Sequence, residues 1–353
     1  PFSMPGPERA RGADYVLSGR LLPTDTEVKV FAALQDAATG QNVWSWTNDG
    51  PLDPSTILKV QSDIADQVAR AVAQPYGAVF ERTALELSGK PAKDLVSYEC
   101  VVRFQQYWRV YDVREYDDLR GCMEATVQED PGYARARSSL ALLYVDAHRF
   151  GYGSQKLDFD PVQRALELAQ SAIDLEPRAS DGYLALSVAR WFDHDVEGSL
   201  DAAKYGLTLN PSNTNLIGEL GIRYALLARW DESTAMIEKL YARNPRAPAG
   251  YRRASFFNAY MHGDYRKALA AAMSAEMPLN LYDHVMRAMV YAQLGEREKA
   301  QAAVSEILKL DARYGEHVVE DFRKRNAHPT IVQAIVEGLA KAGLPSATSS
   351  DAN

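Results

Sequence analysis

Cysteine is scarce in this 353-residue chain. There are two, Cys100 and Cys122, too few for a disulfide framework and without the spacing of metal ligands. Hydrophobic runs are short, and none approaches the roughly 18–20 apolar residues that a membrane-spanning helix requires. Gathered positive charge is missing as well: the net charge is −8, from 39 basic and 47 acidic residues, and the excess is spread along the chain. Nucleic-acid binding draws its affinity from clustered Lys and Arg that release counterions, so direct contact with DNA or RNA is disfavoured. The six histidines form no His-x-x-x-His or Glu-x-x-His pair, and no Ser or Cys stands in a nucleophile elbow. Gly151-Tyr152-Gly153 lacks the Lys-Ser/Thr of a phosphate loop and reads as a flexible insertion. The expectation is a chain without catalytic residues, cofactor or metal.

What is present is 46% hydrophobic and 10% aromatic residues, enough for two or three packed units. Residue 1 is Pro and the first Met is Met4, so a fragment or processed product is expected. Pro1–Gly12 reads as loop. Strands are predicted at Tyr15–Leu22, Glu27–Gln35 and Asn42–Thr47, with connections short enough for antiparallel hairpins. A helix opening at Pro54-Ser55 carries Ile57, Val60, Ile64, Val68 and Val72 on one stripe, and a second spans Tyr76–Leu87. Three strands with one helical cover leave the other cover, and further strands, upstream of residue 1. The free sheet edge at 14–47 invites pairing with another chain, so self-association there is expected.

Beyond residue 94 the pattern is helical and repeats. Pro177, Pro211 and Pro245 lie 34 residues apart, and Pro131 precedes Pro177 by 34 plus an insertion of 12 around Phe150–Ser154. Positions 24, 12 and 5 before Pro211 are Ser187, Ser199 and Gly206; before Pro245 they are Gly221, Ser233 and Leu240. Gly263-Asp264-Tyr265 and Gly295-Glu296-Arg297 repeat the turn between paired helices. Small side chains at a fixed period mark where helices approach closely.

This register resembles the tetratricopeptide-repeat family over residues 94–312. The implied fold is mainly α: an α-solenoid of about six helical hairpins, preceded by a small α+β domain with a three-stranded antiparallel sheet. Gly12–Arg20, Ala33–Gly40 and Val43–Trp46 resemble the later half of a TolB amino-terminal-like domain. The ending Gly338-Leu339-Ala340-Lys341-Ala342-Gly343-Leu344 is similar to that of one bacterial group joining the two. Such proteins carry a winged-helix DNA-binding domain of the CadC or OmpR kind, or a class III adenylate cyclase domain. The divisions expected are 1–90 for the partial TolB-like domain, 91–317 for the solenoid, 318–344 for a capping helix and 345–353 for a disordered tail.

The resemblance also implies a groove lined by the first helix of each hairpin. The register assigns to it Phe104, Trp108 and Tyr111 from the first hairpin, Arg135 from the second, and Leu184, Val188, Trp191 and Phe192 from the third. Arg253, Phe257 and Tyr260 come from the fifth and Tyr282 from the last. A groove so aromatic, with few cations, suits a protein or peptide partner or a small amphipathic ligand; the insertion and the capping helix can also fill it. Cys100 and Cys122 are read as two packed thiols, on facing helices but out of level. His194 takes the place of a turn glycine, which argues against a metal site, and Asp160-Pro161 reads as a helix cap. The function expected is a sensor or protein-interaction module of a bacterial regulatory protein, controlling an output domain. The alternative is a free-standing cell-envelope adaptor or assembly scaffold. Sparse cysteine suits the cytoplasm, and the periplasm stays open.

Overall fold

A computed structural model describes residues 13–51, 62, 65, 68, 78–87, 95–153, 157–275 and 280–344. The chain divides into two compact units, Pro1–Ser88 and Gly89–Asn353. The expected helix over residues 54–72 lies, but for three positions, outside the described residues, as do Pro1–Gly12, residues 154–156 of the insertion and the tail 345–353.

In the first unit, β1 (Tyr15–Pro23), β2 (Glu27–Asp36) and β3 (Asn42–Pro51) form an antiparallel sheet in the order β1-β2-β3. Alternation along β2 buries Val30, Ala32 and Leu34 on one face. Across from Leu34 and Val30 stand Leu17 and Leu21 of the outer strand β1, 51% and 63% exposed. The helix α1 (Ala78–Glu86) follows, and its Arg82 pairs with Asp36 at 3.6 Å.

The second unit is built from hairpins of antiparallel helices. Their pairs are α2 (Ser97–Val110) with α3 (Val113–Glu129), α4 (Ala134–Phe150) with α5 (Pro161–Leu175), and α6 (Ser180–Phe192) with α7 (Val196–Leu209). Next come α8 (Thr214–Leu226) with α9 (Trp230–Arg243), α10 (Arg253–Met261) with α11 (Tyr265–Ser274), and α12 (Leu281–Gln293) with α13 (Arg297–Leu310). The six hairpins form a tetratricopeptide-like solenoid. One apolar core runs through all of them, with a smaller cluster around Ile217, Ile237 and Tyr251.

Sequence dictates both ends of each hairpin. Asp130, Glu176, Asn210 and Asn244 each precede a proline, which excludes the helical conformation, and their φ values lie between −123° and −139°. Just after the first helix of each hairpin stands a left-handed residue: Tyr111, Gly151, His194, Ala228, Gly263 or Gly295. Between the helices, Ser187 Oγ donates to the Ser199 carbonyl at 2.7 Å and Ser199 Oγ to the Ser187 carbonyl at 2.8 Å. One repeat later, Ser233 Oγ donates to the Gly221 carbonyl at 2.8 Å. The recurring small positions are thus points where a hydroxyl meets a neighbouring backbone.

Two expectations need correction. Cys100 and Cys122 form a disulfide, with Cα atoms 6.0 Å apart. Only Tyr111 and Asp112 link α2 to α3, so the two cysteines stand nearly equally far from the turn and are level after all. The expected capping helix over Val318–Gly343 is two helices, α14 (Tyr314–Lys324) and α15 (Pro329–Ala342). Left-handed Asn326 and the ring of Pro329, which a helix accepts only in its first turn, force the break.

Candidate functional site

The first helices of the hairpins converge on a cavity with room of about 110 Å³ for the centre of a water-sized molecule. Its lining comes from every hairpin and from α14: Tyr111, Arg149 and Phe150, Trp191 and Phe192, Glu219 and Arg223, Tyr251, Arg253 and Phe257, Tyr282, and Phe322 with Arg325.

The insertion builds part of this wall. Helix α4 has 17 residues against 13 in α6 and α8. The additional turn ends in Arg149 and Phe150, which it carries over the inner face. The Arg149 guanidinium lies 5.0 Å from the Trp108 ring, 4.8 Å from Tyr111 and 4.6 Å from Phe150. Gly218 serves the opposite wall: a Cβ there would come within 2.6 Å of the Tyr251 ring.

Each guanidinium at the cavity has a carboxylate. Arg149 Nε is 2.5 Å from Asp146, Arg223 Nη2 is 3.3 Å from Glu219, Arg253 Nη2 is 3.2 Å from Asp283, and Arg325 Nη2 is 3.3 Å from Asp321. Asp146 also accepts from Tyr107 Oη at 2.9 Å. Burial pushes the Asp146 carboxyl up to about 6, against the pull of Arg149 and of that hydrogen bond. Burial also works against the charge of Arg149, but Asp146 and nearby oxygens outweigh it and hold its pKa up. Arg223 lies under Trp191 and donates to Ser187 Oγ; for it burial prevails, and its pKa is lowered.

A strap closes one side. Lys324 Nζ donates to the His148 carbonyl at 3.2 Å and Arg325 Nη2 to the Arg149 carbonyl at 2.5 Å. Asn326 Nδ2 donates to the Trp191 carbonyl at 2.6 Å and the His328 amide to the Leu226 carbonyl at 2.7 Å. Four residues of the segment 324–328 thereby tie down the ends of α4, α6 and α8. Arg325 also donates to Tyr282 Oη, which in turn donates to Asp321 at 2.8 Å. Burial raises the Tyr282 pKa above its ordinary value.

Of the residues that the register assigned to the groove, Tyr111, Trp191, Phe192, Arg253, Phe257 and Tyr282 meet at the cavity. Trp108 lies beneath Arg149, fully buried, with its Nε1 3.4 Å from Tyr251 Oη. Phe104, Leu184 and Val188 are core, while Tyr260 stacks on Phe256 and accepts from Gln293 at 2.9 Å. Arg135 pairs instead with Asp181 at 3.2 Å. Arg149, Phe150, Glu219, Arg223, Tyr251, Phe322 and Arg325 were absent from the sequence-based set. For the arginines and Glu219 the signal was an acid three or four residues before an arginine, as in Asp146–Arg149, Glu219–Arg223 and Asp321–Arg325. The first pair follows the apolar run Leu140–Val145 and the second interrupts the apolar helix Thr214–Leu226, and both pairs are buried.

His194 is a left-handed turn residue whose Nδ1 lies 2.7 Å from Asn326 Oδ1. Asp160 caps α5, accepting from the Val162 amide at 2.8 Å. Among the described residues, no three His, Cys, Asp or Glu are placed to hold a metal ion, and no helix is long and apolar enough to cross a membrane.

No family model matches the chain. A Rhizobium meliloti (strain 1021) protein provisionally named adenylate cyclase 3 is 27% identical over 182 residues. The match takes in 51% of this chain and only 30% of that protein's length. Among solved structures, human IFIT1 with m7Gppp-AAAA is similar at TM-score 0.49 and 13% identity, over 72% of this chain and 60% of that one. Pseudomonas aeruginosa PilF is similar at 0.41 and 13%, over 61% and 92%. A tetratricopeptide repeat protein from Parabacteroides merdae ATCC 43184 is similar at 0.37 and 17%, over 70% and 98%. None of these scores reaches 0.5, so none transfers a ligand or partner to this chain. The geometry described above stands by itself: a tetratricopeptide-like solenoid with an arginine-lined aromatic cavity on its inner face.

Proposed function

We propose that the chain is a non-catalytic sensor and protein-interaction module of a bacterial regulatory protein. Its inner cavity binds a small ligand or a partner segment and thereby controls an output domain. The observation that carries this reading is the strap at residues 324–328, which ties three repeats together across the side of the cavity. An occupant that changes those contacts changes the relative stability of strapped and unstrapped forms, which is what a sensor requires. A cyclase output is supported by the partial likeness to the Rhizobium protein. The TolB-like residues 12–46 support the wider regulator group, including its winged-helix members.

The test is a thermal-shift screen of metabolites and peptides on the intact chain and on Ile222→Trp, which enlarges a side chain that also lines the cavity and so plugs it. A native-state ligand raises the melting temperature, by about 2.7 kcal/mol of stability at a hundred times its Kd. A compound that stabilises the wild type and not Ile222→Trp supports the reading. A screen in which nothing stabilises the wild type sinks it.

A second reading, the free-standing cell-envelope adaptor, is favoured by the Cys100–Cys122 disulfide, because such bonds persist in oxidising compartments. Cysteines that react with a membrane-impermeant alkylating reagent only after reduction, in whole cells with an opened outer membrane, would support it. Reduced thiols recovered from cytoplasm would remove it.

A further inference from the structure

We propose that the inner cavity takes a ring-sized anion, by class an aromatic carboxylate, seated among aromatic side chains and held by Arg149 and Arg325; this rests on the reading of the cavity as the recognition site. Three independent observations lead there. The first is the placement of charge. Four guanidiniums, of Arg149, Arg223, Arg253 and Arg325, stand in the wall against one carboxylate, Glu219. The balancing acids Asp146, Asp283 and Asp321 do not line the cavity and are at least nine-tenths buried behind it. The region as a whole is balanced, but the surface that an occupant meets is positive.

The second observation is unmet donor capacity. Arg149 is 8% exposed, and its Nη2 has no hydrogen-bond partner; Arg325, whose side chain is 11% exposed, has a solvent-shielded Nε that has none either. Buried donors of a charged group are rarely left unpaired, and a carboxylate is the acceptor whose two oxygens match the guanidinium fork. A neutral ring would leave those donors as they are, and a cation would meet like charge.

The third observation is size. The free space of about 110 Å³ is close to that of an engineered apolar cavity of about 150 Å³ that holds benzene. One ring is the right scale, with a small anionic group reaching toward the open side of the cavity; a helix or a strand does not fit. Trp191, Phe192 and Tyr282 supply the rings for offset or edge contacts.

The experiment is calorimetric titration of the intact chain with benzoate, benzamide and benzylamine. Benzoate is expected to bind, benzamide about tenfold or more weakly, and benzylamine not at all. Ile222→Trp should abolish benzoate binding. The double variant Asp146→Asn/Arg149→Met removes a buried charge pair as a unit, so that neither charge is left unpaired, and should narrow the preference for benzoate over benzamide, with Arg325 still in place. Circular dichroism checks both variants for folding. If benzamide matches benzoate in the wild type and Ile222→Trp abolishes both, the anion assignment falls while the cavity remains a recognition site. Benzoate binding that survives Ile222→Trp overturns the site, and an unchanged benzoate preference in the double variant overturns the role of Arg149. If none of the three binds the wild type at up to about 10 mM, weaker than any affinity of physiological use, the small-ligand reading itself falls.

Discussion

Two regions inside the solenoid are built on opposite principles. At the seams inside the hairpins the side chains are small and neutral. Ser187, Ser199 and Ser233 donate to backbone carbonyls across the helix pair, and between successive hairpins Gly206 leaves room for the Leu216 side chain. Such contacts fix geometry at little cost. The cavity wall buries arginines with their carboxylates, an arrangement that is at best neutral for stability against apolar side chains of the same volume. A fold that needed only to be stable could have filled this space with leucine. Charge retained here against that alternative is the reason to read the cavity as a working surface and the seams as scaffold.

Removing one member of a buried pair should break the comparison most severely. Arg149→Met keeps much of the packing on Trp108 but leaves Asp146, with no exposed surface, without its cation. A loss of about 3–5 kcal/mol is expected. Adding Asp146→Asn should restore most of it, and denaturant unfolding of the two single variants and the double gives the coupling directly. If the single variant is as stable as the wild type, Arg149 is no more than a surface-like side chain.

The disulfide comes next, as a staple on the first and most irregular hairpin. It closes a loop of 22 residues between helices that lack the small seam residues, with Tyr107 and Leu119 in their place. Chain entropy alone makes such a link worth about 3 kcal/mol. Cys100→Ser/Cys122→Ser should lose about that much, and dithiothreitol should lower the melting temperature of the wild type but not of the variant. A double serine variant as stable as the oxidised wild type would place the first hairpin among the self-sufficient seams.

How much of this was legible follows the same division. The seams announce themselves because period and chemistry coincide. Ser187, Ser199, Gly221 and Ser233 can be found by counting back from Pro211 and Pro245, and the turn residues by counting on. The cavity is only half legible. Register says which face of a first helix turns inward, and that placed Tyr111, Trp191, Phe192, Arg253, Phe257 and Tyr282 at the wall. It says nothing of depth, so Phe104, Leu184 and Val188, which the core absorbs, looked equivalent. It also cannot reach residues outside the repeat: Arg149 and Phe150 sit on a turn added by the insertion, and Phe322 and Arg325 on and just after a helix that the repeat does not contain. The level of Cys100 and Cys122 was readable from the two-residue link between their helices.

Acidity should separate wall from seam through a single group. The folded-state pKa of Asp146 is about 6, above its ordinary 3.8, so the native state holds a proton that the unfolded chain has already released. Its contribution is fully present below pH 3.8 and lost as pH rises through 6. A rise of that size corresponds to on the order of 3 kcal/mol. His148, whose pKa is lowered first by burial and then by Lys324, works the other way, losing stability as pH falls below 6.5. The wild type should therefore be compared with Asp146→Asn between pH 4 and 7, where the His148 effect cancels. The difference should move against the wild type as pH rises, and a flat difference would mean that Asp146 ionises as an ordinary carboxylate.

The smallest expected effect tests the seams directly. Ser233→Ala removes the hydroxyl that donates to the Gly221 carbonyl at 2.8 Å but changes little volume. Losing one neutral hydrogen bond at a fully packed position should cost about 1 kcal/mol. Ser233→Leu at the same place must push the paired helices apart and should cost about 1–3 kcal/mol. The order of these two separates spacing from bonding. If alanine costs as much as leucine, the hydroxyl matters more than the close approach, and the recurring Ser and Gly of this register are chosen for polarity. If alanine is nearly silent and leucine is not, they are chosen for size, which is what distinguishes the seams from the arginine wall.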